Sequence, residues 1–484
     1  MTFEGKKIHF IGIGGVGVNA LAKFCMDAGA KISGSDRKEN DLCAELSAKG
    51  ARIIEGEDPS LVDNADIVVF SSAISDTNTE LARARELNKD LYERQEFLRI
   101  ISLLFPTCVA IGGTHGKTTV TAMVTHVLSC ADKKFCAMIG GQAINYGNYV
   151  NNIGDGVSLD VPLKDMFDKN RAIFVTEACE YKRNLLSLEP NIALVTNAEC
   201  DHPDCYKDEQ SVKCVFVEFL EKANFRIVGA DNASLISNEE KICARDIANN
   251  EKQFSLISRD DGNGTEKIIK CIVYDVDGDK GSQKLEVYCD EKFACEFVLK
   301  MGGEYNAYNA LCAIAVCDRC GVDFSDCAKA IESFSGVARR FEYAGTLKGR
   351  PVYFDFAHHP TEISCAIERA RKYGRVLAVF QPHTYTRTKA YFADFVDTLA
   401  SYNNGVSTLV LMPTYGARER ASEGCDTDKL AAAISVKYPN KPVYNAKSDL
   451  STLDIVEKCV YDCDIIMFIG AGDIYSLKNA IKYD

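Results

Sequence analysis

Cys108-Val109-Ala110-Ile111-Gly112-Gly113-Thr114-His115-Gly116-Lys117-Thr118-Thr119 is the stretch that decides the fold. The run Cys108 to Ile111 reads as a short buried strand, and a helical pattern follows from about Lys117 to Ser129. A glycine-rich turn between the two presents backbone N–H groups to phosphates. Lys117 is placed for the β/γ oxygens and the Thr118 hydroxyl for Mg²⁺. The usual loop carries a glycine where this chain has Ile111, so Gly112 or Gly113 must supply the bend. ATP is the expected ligand, held by Gly113, Thr114, His115, Gly116, Lys117, Thr118 and Thr119.

Working towards the N-terminus, Lys7 to Ile13 is another apolar strand, followed by Gly12-Ile13-Gly14-Gly15-Val16-Gly17 and a helical run from Val18 to Ala28. Glycines in that position let amides approach a diphosphate at a helix start, and Asp36 beyond the next strand is placed for a ribose hydroxyl. Taken alone, the pattern favours a nucleotide diphosphate over the alternative, a turn whose glycines serve packing only. A strand at Asp66–Ser71 and a helix from Tyr92 to Leu104, ending before Pro106, complete this unit.

Working towards the C-terminus, Arg171–Thr176 and Asn191–Thr196 read as central strands. The alternating residues from about Glu251 to Leu299, with a turn at Asp277-Gly278-Asp279, read as antiparallel hairpins. A helix from Tyr305 to Cys320 follows. Strands at Pro351–Phe356, Arg375–Phe380, Ser407–Met412 and Asp464–Ile469 then alternate with helices. The fold class is α/β with three units, at 1–106, 107–336 and 337–484. A chain of 484 residues has the length for this, at roughly 150 residues per domain.

Chemistry in such sheets sits beyond the carboxyl ends of the strands. Glu177 ends one buried strand and is the best oxygen ligand for Mg²⁺. Asp201-His202-Pro203-Asp204 follows another strand. On spacing alone His202 reads more readily as surface or core than as a ligand, and Asn197, Glu199 and Asp201 read as a solvated loop. In the third unit, His358-His359-Pro360, the run Gln381 to Arg387, and Tyr415 with Arg418 and Glu419 all follow strands. Adjacent histidines on extended backbone face opposite ways, so both cannot ligate one ion. Hydrogen bonding to a substrate carboxylate, with Arg387 as charge partner, fits better.

Composition narrows the class. The formal net charge of −13 excludes a sequence-independent nucleic-acid binder. No apolar run reaches the roughly 18 residues of a membrane span, and no signal peptide is evident, so the expected location is the cytoplasm. The 21 cysteines are scattered, an arrangement that suits free thiols in a reducing compartment. Cys317-Asp318-Arg319-Cys320 has no second pair to complete a zinc site and reads as packing.

The motifs at Ile11–Gly17, Gly113–Thr119, Asp201–Asp204 and Ala357-His358-His359-Pro360-Thr361-Glu362 together resemble the Mur ligases of peptidoglycan synthesis, in order and over essentially the whole chain. The resemblance implies an N-terminal Rossmann-like UDP-sugar domain, a central P-loop ATPase domain and a C-terminal Rossmann-like domain that helps bind an amino acid. It implies an ATP- and Mg²⁺-dependent ligation of L-alanine to the carboxylate of UDP-N-acetylmuramate through an acyl phosphate. By resemblance, Gly14, Gly15, Val16, Gly17, Asp36, Ser71, Ser72, Ala73 and Ile74 belong to the UDP-sugar site. Lys117 contacts ATP phosphates, and Thr118, Glu177 and His202 look like Mg²⁺ ligands. Asn306, Arg340 and Asp355 resemble the nucleoside end of the ATP site. His359 and Arg387 are similar to residues around the incoming amino acid.

Many members read Glu-Ala-Asp-Glu where this chain has Glu177-Ala178-Cys179-Glu180, and some have Arg where Thr384 stands. Several later ligases of the family use a carbamylated lysine as a metal ligand. Its position aligns with Phe216 here, so no carbamate is expected. Other readings are a recycling ligase that adds a preformed tripeptide, an NAD-dependent dehydrogenase and a nucleotide-binding switch. The second phosphate loop and the strand-end carboxylates argue against the dehydrogenase. The sequence fixes no oligomeric state.

Overall fold

The computed structural model describes residues 3–153, 172–199, 201, 205–236, 247–248, 251–262, 264–276, 281–400, 405–417, 419 and 426–484. These residues build three sheets. The first contains β1 (Lys7–Ile11), β2 (Lys31–Asp36), β3 (Arg52–Glu55), β4 (Ile67–Phe70) and β5 (Asp90–Glu93), all parallel, in the order β3-β2-β1-β4-β5. Ile8, Phe10 and Ile11 are buried, as a strand covered on both faces requires. The chain reverses its direction of winding between β1 and β4. The loops that flank this switch point, Gly12–Gly17 and Ser71–Ile74, are those singled out from the sequence.

The second sheet contains β6 (Thr107–Gly112), β7 (Phe135–Ala143), β8 (Gly147–Asn151), β9 (Ile173–Glu177), β10 (Ile192–Val195), β11 (Phe225–Gly229), β12 (Ile247–Ala248), β13 (Glu251–Asp260), β14 (Thr265–Asp275), β15 (Gln283–Cys289) and β16 (Lys292–Leu299). Its order is β16-β15-β14-β13-β11-β10-β6-β9-β7-β8, with β12 on β13. β11, β10, β6, β9 and β7 run parallel, and β13 to β16 continue the sheet antiparallel. β6 lies at the centre, between β10 and β9, so the loops after all three converge. The helix Glu304–Arg319 packs its apolar residues, Ala307 to Cys317, into the same core.

The third sheet contains β17 (Glu342–Leu347), β18 (Arg350–Asp355), β19 (Val376–Phe380), β20 (Val406–Leu411), β21 (Val443–Asn445) and β22 (Ile465–Ile469), in the order β17-β18-β22-β19-β20-β21. Strands β19 and β22 are buried along their whole length. The loops after β18 and β19 face the second unit.

Two differences from the sequence expectation have simple causes. Residues 92–93 belong to β5 and the helix starts only at Arg94, because Asp90-Leu91-Tyr92-Glu93 is a half-exposed edge strand with no apolar run to mark it. The hairpin β7–β8 is not among the expected strands: its apolar run, Phe135 to Ile139, is short and passes into Gly140-Gly141-Gln142, and β8 carries polar Asn148 and Asn151. Asp277-Gly278-Asp279, His202 and Arg418 lie outside the described residues. Among the described residues no helix is long and apolar enough to cross a membrane.

Candidate active site between the second and third sheets

The loop after β6 is bent by Gly113, whose φ of +120° is open only to glycine at low cost. A Cβ there would also stand 2.1 Å from the Thr196 hydroxyl. Two neighbours hold the loop. Asn197 accepts from the His115 amide (2.8 Å) and donates to its carbonyl (3.0 Å), while the Thr114 hydroxyl donates to the Glu199 carbonyl (2.9 Å). Asn197 and Glu199 are therefore parts of the loop's support, not a solvated loop. The helix Lys117–Cys130 then begins, and its first N–H groups have no partner inside the helix.

Lys117 curls back over this loop. Its Nζ donates to the Thr114 carbonyl (2.9 Å), to Glu180 (2.9 Å) and to the Gly113 carbonyl. Burial, the largest single influence, would lower its pKa, but the neighbouring acidic groups, Glu180 first among them, together outweigh it and raise the pKa, so the ammonium is charged. Thr118 Oγ1 donates to Glu177 Oε2 at 3.1 Å, and the Gly140 amide donates to Glu177 Oε1 at 2.5 Å. A side chain at Gly140 would collide with that carboxylate. Burial raises the Glu177 pKa, opposed by the Gly140 hydrogen bond and Lys117. A hydroxyl beside a buried carboxylate is a pair of hard oxygen donors at the end of a phosphate loop, and such a pair fits Mg²⁺.

Beyond the loop a cavity of about 630 Å³ opens between the second and third sheets. His115, Gly116, Thr119, Asn306, Arg340 and Asp355 all line it. Asn306 donates to the Gly302 carbonyl (2.9 Å), and Asp355 accepts from the Phe341 and Ala357 amides (both 2.8 Å). Burial raises the Asp355 pKa.

The far wall is charged. His115 Nδ1 lies 3.2 Å from Glu362 Oε1 and its Nε2 3.5 Å from Glu199 Oε2. Burial would lower the imidazole's pKa, but the two carboxylates raise it to about 9, leaving an imidazolium at neutral pH. Glu362 also accepts from the His358 amide (3.1 Å) and faces Arg340 (3.6 Å). The Thr361 hydroxyl donates to Glu199 (3.2 Å). Among the described residues His115, Glu199 and His359 are the group whose ligand atoms converge closely enough to hold an ion. The Nδ1 of His359 accepts from the Thr361 amide (3.3 Å), so its Nε2 carries the proton and is a poor ligand.

His358 and His359 do face opposite ways. His358 lies against Phe356 and His383, whereas His359 lies against His115 and, edge-on at 4.6 Å, Tyr391. Burial takes His358 down to about 4, His383 to about 3 and lowers His359 as well. All three are neutral at pH 7. Arg387 is committed within the protein: its guanidinium donates to both oxygens of Asp201 (3.0 and 3.3 Å), and both side chains are nine-tenths buried.

A three-part arrangement of this kind has known counterparts. The patterns described as "Mur ligase family, catalytic domain", "Mur ligase middle domain" and "Mur ligase, glutamate ligase domain" match residues 7–105, 111–317 and 339–472. The chain is 34% identical to a UDP-N-acetylmuramate–L-alanine ligase of Clostridium novyi, over 98% of this chain and 96% of that one. The chain belongs to the Mur ligase family. Another relative is the ligase of the same description from Clostridium perfringens, 33% identical over 97% of this chain and 96% of its own. Among solved structures, UDP-N-acetylmuramate–alanine ligase of Thermotoga maritima superposes with a TM-score of 0.74 at 25% identity, covering 98% and 97% of the two chains. A murein peptide ligase of Psychrobacter arcticus shares the fold, with a TM-score of 0.59 at 17% identity.

In this Mur ligase the remaining sequence-chosen residues gather at the first sheet. Asp36 Oδ2 accepts from the Gly14 amide (2.8 Å), and Asn40 donates to the Gly14 carbonyl (3.0 Å). Ser71 and Ile74 pack against Gly12, and the Ala73 amide donates to the Ser71 hydroxyl (3.2 Å). Gly14 to Gly17 and Ser71 to Ile74 thus form one mouth. From the sequence Asn197 and Glu199 read as a solvated loop, and Glu180 and Glu362, though inside the motifs, carry no assigned role. Their only signal was a polar residue shortly after a buried strand.

Proposed function

We infer that this Mur ligase joins L-alanine to UDP-N-acetylmuramate at the expense of ATP. Full-length likeness to ligases of that description carries the reading. The phosphate loop opening on a cavity closed by a second α/β unit agrees with it. ATP lies with its phosphates on Gly113 to Thr119 and its nucleoside towards Asn306, Arg340 and Asp355. Lys117 leaves Glu180 and the loop carbonyls to meet the transferring phosphoryl, where a fixed charge lowers the barrier most. Thr118 and Glu177, joined by His202 as the family resemblance implies, would hold Mg²⁺, which would neutralise phosphate charge.

A muramate carboxylate oxygen attacks the γ-phosphorus and ADP leaves. The alanine amine then attacks the acyl carbon, and inorganic phosphate departs with the carboxylate's oxygen. The UDP-sugar rests on Gly14, Gly15, Val16, Gly17, Asp36 and Ser71, Ser72, Ala73, Ile74. His359 and Arg387 border the amino acid. His359 is neutral there, and Arg387 keeps its Nε without a hydrogen-bond partner among the described residues. Closure of the units over the cavity would keep water out, so that the acyl phosphate meets the amine before hydrolysis.

The test is phosphate release and product mass with ATP, Mg²⁺, UDP-N-acetylmuramate and a panel of amino acids and a tripeptide. Phosphate release should require the UDP-sugar, and amide product should require L-alanine or a close small analogue. Turnover of the tripeptide with none of alanine would move the chain to the recycling activity.

A further inference from the structure

The hairpin β7–β8 of the second unit touches three places at once. β8 lies along the helix Val16–Asp27 of the first unit, which begins in the glycine loop. Near the start of that helix Asn148, fully buried, donates from Nδ2 to the Val16 carbonyl (2.9 Å) and to Asn19 Oδ1 (3.2 Å). Its Oδ1 accepts from Lys23 Nζ (2.8 Å). Both polar atoms of this amide are therefore engaged by the first unit. Asn19 passes the contact on, donating to the Leu42 carbonyl (3.0 Å), close to Asn40, whose side chain holds the Gly14 carbonyl (3.0 Å). At the other end of the helix Asp27 accepts from the Tyr149 hydroxyl (2.8 Å) and from Asn151 (3.2 Å). The hairpin is thus moored to both ends of the helix that carries the glycine loop.

Opposite this mooring the hairpin is irregular. Met138 pairs with Tyr149 and Ala143 with Gly147, and residues 139–142 bulge out of register between them. The bulge lies against Glu177 and Thr118. The Gly140 amide donates to Glu177 Oε1, and a Cβ on Gly141 would stand 2.9 Å from the Thr118 methyl. Past the bulge the hairpin tip pairs with the linker into the third unit. The Ile144 amide donates to the Gly336 carbonyl (3.1 Å), and the Ala338 amide donates to the Gln142 carbonyl (2.8 Å). Arg339 and Arg340 follow directly, and Arg340 lines the cavity. Residues 140–148 thus join the glycine loop, Glu177 and the linker in one short stretch. Glycines at 140, 141 and 147 leave that stretch pliable, while Asn148 fixes its far end.

We propose that Asn148 is a positioning residue for phosphoryl transfer, one that transmits the settling of the glycine loop on its ligand to Glu177 and to the linker. This rests on the proposed function, which puts the sugar nucleotide on Gly14 to Gly17 and Mg²⁺ on Thr118 and Glu177. The nucleotide site is then completed only when the UDP-sugar is in place, and ATP is not spent without an acceptor. Asn148 acts through its partners, and a misplacement of about 1 Å at a reacting group can cost roughly 10²-fold in rate. A tie of this kind is reciprocal: each ligand must tighten the other by the same factor.

Calorimetric titration of the full-length protein measures that factor. The ligands are UDP-N-acetylmuramate and a non-hydrolysable ATP analogue with Mg²⁺, each titrated alone and with the other at saturation. In the wild-type protein each should tighten the other by the same factor, about fivefold or more. In Asn148→Ala each ligand alone should bind within about threefold of wild type, while the factor falls below about twofold. Turnover at saturating substrates should fall by about tenfold in that variant, with KM values little changed. A packing role would weaken both ligands or lower the melting temperature and leave the factor intact, and that result would overturn the proposal. So would a wild-type factor of about one. Asp27→Ala frees the solvent-exposed end of the same mooring and leaves no cavity in the core. It should lower the factor by about half, and an unchanged factor there would overturn the proposal even if Asn148→Ala failed to fold. Failure of the wild-type protein to bind UDP-N-acetylmuramate at all would instead overturn the sugar-nucleotide reading itself.

Discussion

The two junctions of this molecule are built from opposite materials. Between the first and second units the core is continuous: Phe24 meets Phe105, and Phe105 lies on Phe174 with ring centroids 5.1 Å apart. Two polar side chains, Asn148 and Lys23, also tie the units together there. Asn148 bonds the Val16 carbonyl and Asn19, and Lys23 bonds Asn148 and Glu45. Between the second and third units the contacts are polar and charged: Arg387 on Asp201, His115 on Glu362 and Thr361 on Glu199. Apolar burial is favourable without geometric precision and resists opening. Buried ion pairs roughly break even against the hydration they lose. The first junction is thus a fixed hinge base, whereas the second can open to water and close again over a nucleotide at little net cost.

The largest effect should come from damaging the apolar junction. Phe174→Ala removes a fully buried ring and should cost roughly 3–5 kcal/mol of stability in denaturant melts. A loss under about 1 kcal/mol would mean that the junction is not a shared core. Next is Lys117→Ala, which should lower turnover by on the order of 10²-fold or more while leaving UDP-sugar affinity unchanged. Near-normal turnover in that variant would remove the ATP loop from the chemistry.

A smaller effect concerns pH at the charged junction. His115 is raised to about 9, so its stabilising charge is fully present below the ordinary histidine value and is lost as pH rises through about 9. Glu362 is held well below the ordinary carboxylate range, chiefly by His358 and His115 against the penalty of burial, so its charge is lost only in strong acid. The closed form, followed by interdomain fluorescence transfer, should decline progressively from about pH 6.5 and lose the His115 contribution as pH passes about 9. His115→Gln should flatten that upper limb, and an unchanged limb would separate His115 from closure. The smallest expected effect is none: bicarbonate should not change the activity of CO₂-depleted enzyme. Phe216 is fully buried, and Lys213 pairs with Glu209 at 2.7 Å. Activation, or a carbamate mass on Lys213, would contradict this.

The same contrast explains what could be read in advance. The buried strands β1, β6, β19 and β22 were legible because strands covered on both faces read as apolar runs. Lys117, Thr118 and Glu177 were legible because each stands at a strand end or in a glycine-rich turn, and the structure brings them together. β5 was not, since half its residues are charged. Asn197, Glu180, Glu199 and Glu362 were not, because each gains its meaning from a partner far away in the chain. Arg387 was read as awaiting a substrate carboxylate, and the structure gives it Asp201 as well. Opposite charges across two units leave no trace in local periodicity.

The reaction at the charged junction is tested most directly by isotope transfer. UDP-N-acetylmuramate with oxygen-18 in its lactyl carboxylate is turned over with unlabelled ATP and L-alanine, and the released phosphate is analysed by mass spectrometry. Attack of the carboxylate on ATP followed by amine displacement should leave one oxygen-18 atom in each phosphate released and the other in the amide. Unlabelled phosphate accompanying amide formation would contradict the acyl-phosphate route.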